Sequence, residues 1–138
     1  MNYSLHWSDL RNYLILLAML LLIDLVWLMG IAKRLYADKL GYLMAPKPNL
    51  LAALLFYLLF IVGLQVFVVQ PALLSGSWKA ALLPGLLFGL VTYATYDLTN
   101  LATVKDWPVL ITVLDLLWGS FVSGVTSLVG FWLIRLLP

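Results

Sequence analysis

The sequence is poor in the residues that carry most enzyme chemistry. It contains no cysteine and no glutamate, and His6 is its single histidine. Disulfides and thiol chemistry are therefore excluded. All six carboxylate side chains are aspartates, so their positions are unusually informative.

Charged residues are also scarce. Only 10% of the 138 residues are charged and 64% are hydrophobic, against roughly a quarter charged in ordinary soluble domains. So few charges do not cover a soluble surface, and the lipid bilayer is the expected partner of most of the chain. The net charge of +2 is small and the basic residues form no stripe. These two features argue against a nucleic-acid partner.

Four apolar runs are long enough to cross about 30 Å of hydrocarbon as helices, which takes roughly 20 residues each. They cover residues 13–32, 50–74, 80–104 and 108–134. Backbone groups in lipid must be hydrogen-bonded within their own segment, and runs of this length favour helices over barrel strands. The sequence therefore predicts one all-α transmembrane domain over residues 1–138, built as a four-helix bundle.

The longest connection covers residues 33–49. Tyr36, Leu40 and Met44 follow one another there at helical spacing, which predicts a short amphipathic segment at the membrane surface. Five basic residues lie near the loops after helices one and three, and three lie on the opposite side. The positive-inside rule then predicts both termini outside, with loops 33–49 and 105–107 in the cytoplasm.

Three aspartates lie inside the apolar runs: Asp24, Asp97 and Asp115. Acidic side chains at bilayer depth are costly and mark functional or structural sites. Asp24 and Asp97 precede the basic residues of the next loop by nine and eight residues, and Asp115 follows the acid of its loop by nine. At about 1.5 Å of rise per residue, all three lie roughly 12 Å inside the same membrane boundary. The register predicts one acidic layer, which forms if the three helices pack together.

Aromatic and polar side chains flank these aspartates at helical spacing. The first and the last aspartate are each followed after three residues by a tryptophan, which predicts that each indole pairs with the aspartate of its own helix. Indole and phenol groups donate hydrogen bonds to carboxylates, and their rings exclude water. Carboxylates gathered in this way would share protons. Besides the aspartates, the predicted layer comprises Trp27, Trp118, Tyr93, Tyr96, Thr99 and Asn100.

Two further patterns predict helix contacts. Gly85 and Gly89 on helix three, and Ser120 and Gly124 on helix four, are pairs of small residues four apart. Such pairs let helices approach closely, within one chain or between two. Gln65, in the second run, has two open roles: it joins the polar layer or bonds another helix.

Several stretches together resemble a known family. They are Ile23–Leu28, Leu40-Gly41 with Ala45–Asn49, Tyr93–Thr103 and Asp115–Gly119. Across residues 14–134 the chain resembles the bacterial membrane protein family called domain of unknown function 2177. The resemblance implies a multi-pass protein of the bacterial cytoplasmic (inner) membrane. It implies no activity, because the family has no established function.

Three functions fit the acidic layer. The first is small-molecule or ion binding, or proton-linked transport, which four helices would perform as a homo-oligomer because they enclose little volume. The second is an enzyme that acts on a membrane lipid with one aspartate as general acid and another as base. The third is a non-catalytic scaffold or accessory of another membrane subunit. The sequence favours the first and leaves open whether the protein is an enzyme.

Metal and cofactor binding have little support in the sequence. Three aspartates would suit only a hard cation such as Mg²⁺ or Ca²⁺. No spaced Asp-rich motif accompanies them. We therefore expect neither a metal nor a cofactor.

Overall fold

The computed structural model describes residues 4–138, which form four long helices. We label them α1 (Trp7–Leu40), α2 (Leu50–Ser75), α3 (Trp78–Thr103) and α4 (Val109–Leu136). Each is long and apolar enough to cross a membrane. The prediction of an all-α four-helix membrane bundle is confirmed, and the last three helices begin and end within two residues of their predicted bounds.

Local sequence signals set the ends of α2 and α3. The Asn49 side chain accepts a hydrogen bond from the backbone N–H of Ala52 and so begins α2. Ser77 caps the start of α3 in the same way, through Ala80. Between these helices Gly76 has φ 67°, the left-handed conformation that ends α2 and reverses the chain within a short turn.

Helix α1 is longer than the sequence predicts. It does not end at the first loop lysine but continues to Leu40, so residues 33–40 extend the helix instead of forming a separate surface segment. A π-helical turn at Leu28–Ala32 joins the two parts. Leu40 is buried against Trp107. The apolar face of the extension therefore packs on the bundle, which hydropathy alone does not reveal because lysine and arginine interrupt the run.

The π-helical turn decides which side chains of α1 face the bundle. Asp24 and Tyr36 are twelve residues apart. In a regular α-helix, at about 100° per residue, they would be separated by roughly 120°. The extra residue of a π turn removes about 100° of this angle and leaves about 20°. Both side chains consequently reach α4, where each has a hydrogen-bond partner.

Helices α3 and α4 pack closely side by side in opposite directions. Their facing residues form pairs that advance by four residues along both helices. The pairs are Gly85 with Ser127, Gly89 with Ser123, Tyr93 with Gly119, and Asp97 with Asp115. A methyl group added to Gly85 would lie 2.7 Å from the Ser127 hydroxyl oxygen, so a larger residue would displace α4. The small-residue pairs therefore join two helices of one chain.

This interface is fully buried at the end away from the aspartates. Ser123 and Ser127 are fully buried, and their hydroxyl groups find no hydrogen-bond partner within residues 4–138. They face Gly85 and Gly89, whose lack of a side chain leaves room for the two hydroxyl groups. Nearby, Leu16, Ile61 and Leu64 fill the space between α1, α2 and α4. The aspartates thus lie at one end of a tightly packed, largely apolar bundle.

Candidate functional site

The centre of the site is a pair of aspartates on neighbouring helices. Asp97 on α3 is 0% exposed and Asp115 on α4 is 7% exposed. Their carboxyl groups lie within hydrogen-bonding reach of each other. Among residues 4–138, no N–H or O–H group donates to the oxygens of Asp97. Because two carboxylates this close would repel strongly at low dielectric, we infer that the pair holds one proton and that one carboxyl group donates to the other.

Asp115 has a second partner from α1. The Tyr36 hydroxyl donates a hydrogen bond to Asp115 Oδ1. Asp115, which belongs to α4, therefore connects α3 and the extension of α1.

Asp24 is held in a separate arrangement that satisfies both of its oxygens. The Tyr57 hydroxyl of α2 donates to one oxygen, and the Trp118 indole N–H donates to the other over 3.0 Å. The Trp27 ring stacks on Trp118, with centroids 4.5 Å apart and planes within 8°. The prediction that each indole pairs with the aspartate of its own helix is therefore wrong. Trp118 reaches across the helix interface to Asp24, and Asp115 takes other partners.

The remaining predicted members of the layer separate into inward and outward side chains. Tyr93 lies close enough to all three aspartates to interact with them electrostatically. Tyr96 is 59% exposed, and Asn100 is half-buried. Thr99 is exposed and donates to the backbone carbonyl of Tyr96 over 2.9 Å. The structure thus brings Tyr93 to the aspartates and leaves Thr99 and Asn100 outside the layer.

Tyr57 and Tyr36 belong to the site although they are not among the residues predicted for the layer. Tyr57 could have been found from the sequence. It follows Asn49, which caps the start of α2, by eight residues. The three aspartates lie eight or nine residues from the charged residues of their loops. Tyr36 could not, because its inward direction depends on the π-helical turn.

A cleft of about 580 Å³ opens beside the aspartate pair, within the range of roughly 300–1,000 Å³ typical of ligand pockets. Its walls are Tyr36, Leu40, Met44, Phe56, Thr92, Tyr93, Tyr96 and Asp115. Asp115 is the one charged residue among them. Phe56 and Met44 at the rim are 47% and 53% exposed. The cleft is therefore open along apolar side chains and has one carboxyl group in its wall.

A second cleft, of about 910 Å³, lies at the other end of the bundle between the first turns of α1 and the middle of α2. Gln65 lines it and donates its amide N–H to the backbone carbonyl of Asp9 over 2.9 Å. Of the two roles open to Gln65, it bonds another helix. The residues of the aspartate layer do not line this second cleft.

The geometry favours proton exchange over metal chemistry. Within residues 4–138, no group of three or more histidine or aspartate side chains lies close enough to hold a metal ion. Both oxygens of Asp24 accept hydrogen bonds, which leaves the Asp97–Asp115 pair as the carboxyl groups with capacity for a ligand. Intramembrane carboxyl groups commonly mark ion, proton or substrate sites, and Asp115 is the member of the pair that lines a cleft.

Four membrane-spanning helices with buried aspartates between them define an integral, multi-pass membrane protein. Residues 10–132 match the model of a family described as predicted membrane protein, DUF2177. The chain belongs to this family, domain of unknown function 2177, as its sequence motifs imply. No curated protein and no solved structure matches it.

Proposed function

We propose that this protein binds a small membrane-soluble molecule in the lipid-facing cleft and that binding is linked to the proton of the Asp97–Asp115 pair. The observation that carries the proposal is the position of Asp115, which lines the cleft and contacts Asp97. A ligand that brings a positive charge or a hydrogen-bond donor to Asp115 takes the place of the proton that Asp115 shares with Asp97. Ligand and proton therefore compete for one carboxyl group, so each changes the affinity of the other.

The three aspartates divide into two roles in this proposal. Asp97 and Asp115 form the exchanging site. Asp24 holds α1 against α2 and α4 through Tyr57 and Trp118. The packing role that a scaffold would require thus applies to Asp24, whereas the cleft beside Asp115 supports a binding role for the pair.

We place the protein in the cytoplasmic membrane of a bacterium, with both termini outside. The basic residues near the ends of α1 and α3 support this orientation, which puts the aspartate pair near the cytoplasmic side. Transport through the site would require a second copy of the chain, because a single bundle opens its cleft towards lipid and encloses no path across the membrane. Proton-linked transport is therefore the form that the proposed function takes in a homodimer.

Dicyclohexylcarbodiimide tests this proposal, because it enters lipid and modifies protonated carboxyl groups. The purified protein in lipid nanodiscs is treated with the reagent, and the modified peptides are mapped by mass spectrometry. We expect modification of Asp115 and none of Asp24, a matched carboxyl group at the same predicted depth whose oxygens are both bonded. Asp97→Asn should lower the modification of Asp115, because the shared proton is lost.

Two results would contradict the proposed function. One is equal modification of Asp24 and Asp115, which would show that the cleft confers no selective access. The other is the absence of modification at Asp97 and at Asp115 in correctly folded protein. Folding is verified by the fluorescence of the stacked Trp27 and Trp118.

A further inference from the structure

We infer that the molecule bound in the cleft is a hydrophobic organic monocation, such as an amphiphilic amine or a quaternary ammonium or phosphonium ion. The inference rests on the proposed function and names the ligand class of the same site. It follows from the charge of the cleft, from its aromatic walls and from its opening towards lipid.

The charge of the site favours a single positive charge. Among the residues that line the cleft, Asp115 is acidic and none is basic. Asp97 beside it is fully buried and receives no hydrogen bond from any N–H or O–H group of residues 4–138. Loss of the shared proton leaves two carboxylates, and one monovalent cation at Asp115 restores the lost charge. An anionic or neutral ligand would leave the pair uncompensated.

A divalent metal ion fits the site poorly. Calcium takes six to eight oxygen ligands and magnesium demands near-ideal octahedral geometry. Residues 4–138 contain no cluster of three or more suitable acidic or histidine side chains. One of the two oxygens of Asp115 is already bonded by Tyr36. The cation must therefore be one that needs few oxygen ligands.

The walls of the cleft favour an organic cation. Four of the residues that line it are aromatic: Tyr36, Phe56, Tyr93 and Tyr96. Aromatic ring faces attract cations, and most strongly cations that are weakly hydrated. Leu40 and Met44 supply apolar contact for the rest of the ligand. Since the rim is about half exposed where the protein meets lipid, the apolar part of an amphiphile can enter from the membrane.

Tetraphenylphosphonium is the probe for this inference, and tetraphenylborate is its matched control because it has the same shape and the opposite charge. Binding to purified protein in detergent micelles is measured by equilibrium dialysis, and proton release is followed with a pH indicator in weak buffer. We expect saturable binding of the cation, release of about one proton per cation, and an affinity that falls about tenfold per pH unit on acidification wherever the pair is protonated. Tetraphenylborate should not bind.

Two variants distinguish the loss of the Asp115 charge from a loss of folding. Asp115→Asn should weaken binding at least about tenfold, whereas Asp106→Asn, in the exposed turn between α3 and α4, should leave it unchanged. Asp97→Asn retains the carboxyl group of Asp115 and should still bind the cation. Because it lacks the shared proton, it should release none, and its affinity should not depend on pH over the same range. Asp97→Asn therefore still tests the inference if Asp115→Asn folds poorly.

The outcomes distinguish this inference from the proposed function. If tetraphenylphosphonium slows the carbodiimide modification of Asp115 and tetraphenylborate does not, both stand. If Asp115 is modified but is protected only by an uncharged analogue such as tetraphenylmethane, the inference is overturned and the proposed function stands. Equal binding of the cation and of the borate would also overturn the inference. If carbodiimide modifies neither member of the pair, the proposed function fails and the inference fails with it.

Discussion

Asp24→Asn should destabilise the bundle more than Asp97→Asn, although both remove a buried carboxyl group. Asp24 accepts the Tyr57 hydroxyl on one oxygen and the Trp118 indole on the other. Asparagine keeps one acceptor and replaces the second with an NH₂ group, which faces one of those donors. A buried donor left without an acceptor costs about 1–3 kcal/mol. The ratio of folded to unfolded protein should therefore fall by about 5-fold to 150-fold.

Asp97→Asn makes a different change. The oxygens of Asp97 accept no hydrogen bond from an N–H or O–H group of residues 4–138, so the substitution strands no donor. Its new NH₂ group can donate to Asp115 in place of the shared proton. We therefore expect a smaller loss of unfolding free energy than in Asp24→Asn.

The assay is reversible unfolding in mixed micelles with increasing sodium dodecyl sulfate, followed by tryptophan fluorescence. The stacked rings of Trp27 and Trp118 report on the region around Asp24. Equal losses of stability in the two variants, or a larger loss in Asp97→Asn, would refute the division of the aspartates into a bonded residue and an exchanging pair.

Two further predictions concern packing and access. Gly119→Ala should lower the unfolding free energy by about 1–3 kcal/mol in the same assay, because the added methyl group overlaps the ring of Tyr93 on α3. Gly30→Ala is the control, because the space around its added methyl group is open. Equal losses in the two variants would refute the close packing of α3 on α4. Tyr36→Phe should raise the rate of carbodiimide modification of Asp115 several-fold, because the hydroxyl that covers one oxygen is removed. Tyr57→Phe, which acts on the other aspartate, is the control, and a rate unchanged by Tyr36→Phe would contradict the assigned contact.

The long helices could be predicted because the length of an apolar run is a property of the sequence alone. The neighbours Asp97 and Asp115 could be predicted too. They lie nearly equidistant from the turn at Asp106, so two antiparallel helices joined there bring them together. The depth of Tyr57 could be predicted in the same way, from its distance to Asn49.

The side-chain partners could not be predicted, because they depend on how each helix is rotated about its axis. The π-helical turn at Leu28–Ala32 rotates the end of α1, and burial of Leu40 against Trp107 accompanies it. The rotation brings Tyr36 to Asp115. Spacing along a single helix carries no information about such contacts between helices. For this reason the spacing of three residues does not identify Trp118 as the indole partner of Asp24.

Infrared spectroscopy of the carboxyl C=O stretch detects the proton that Asp97 and Asp115 share. We predict a protonated-carboxyl band in the wild-type protein in lipid at neutral pH. The band should disappear in Asp97→Asn and in Asp115→Asn, because either change removes the partner that holds the proton. It should persist in Asp24→Asn. A wild-type spectrum without this band, or a band lost in Asp24→Asn and kept in the two other variants, would show that Asp97 and Asp115 do not share a proton.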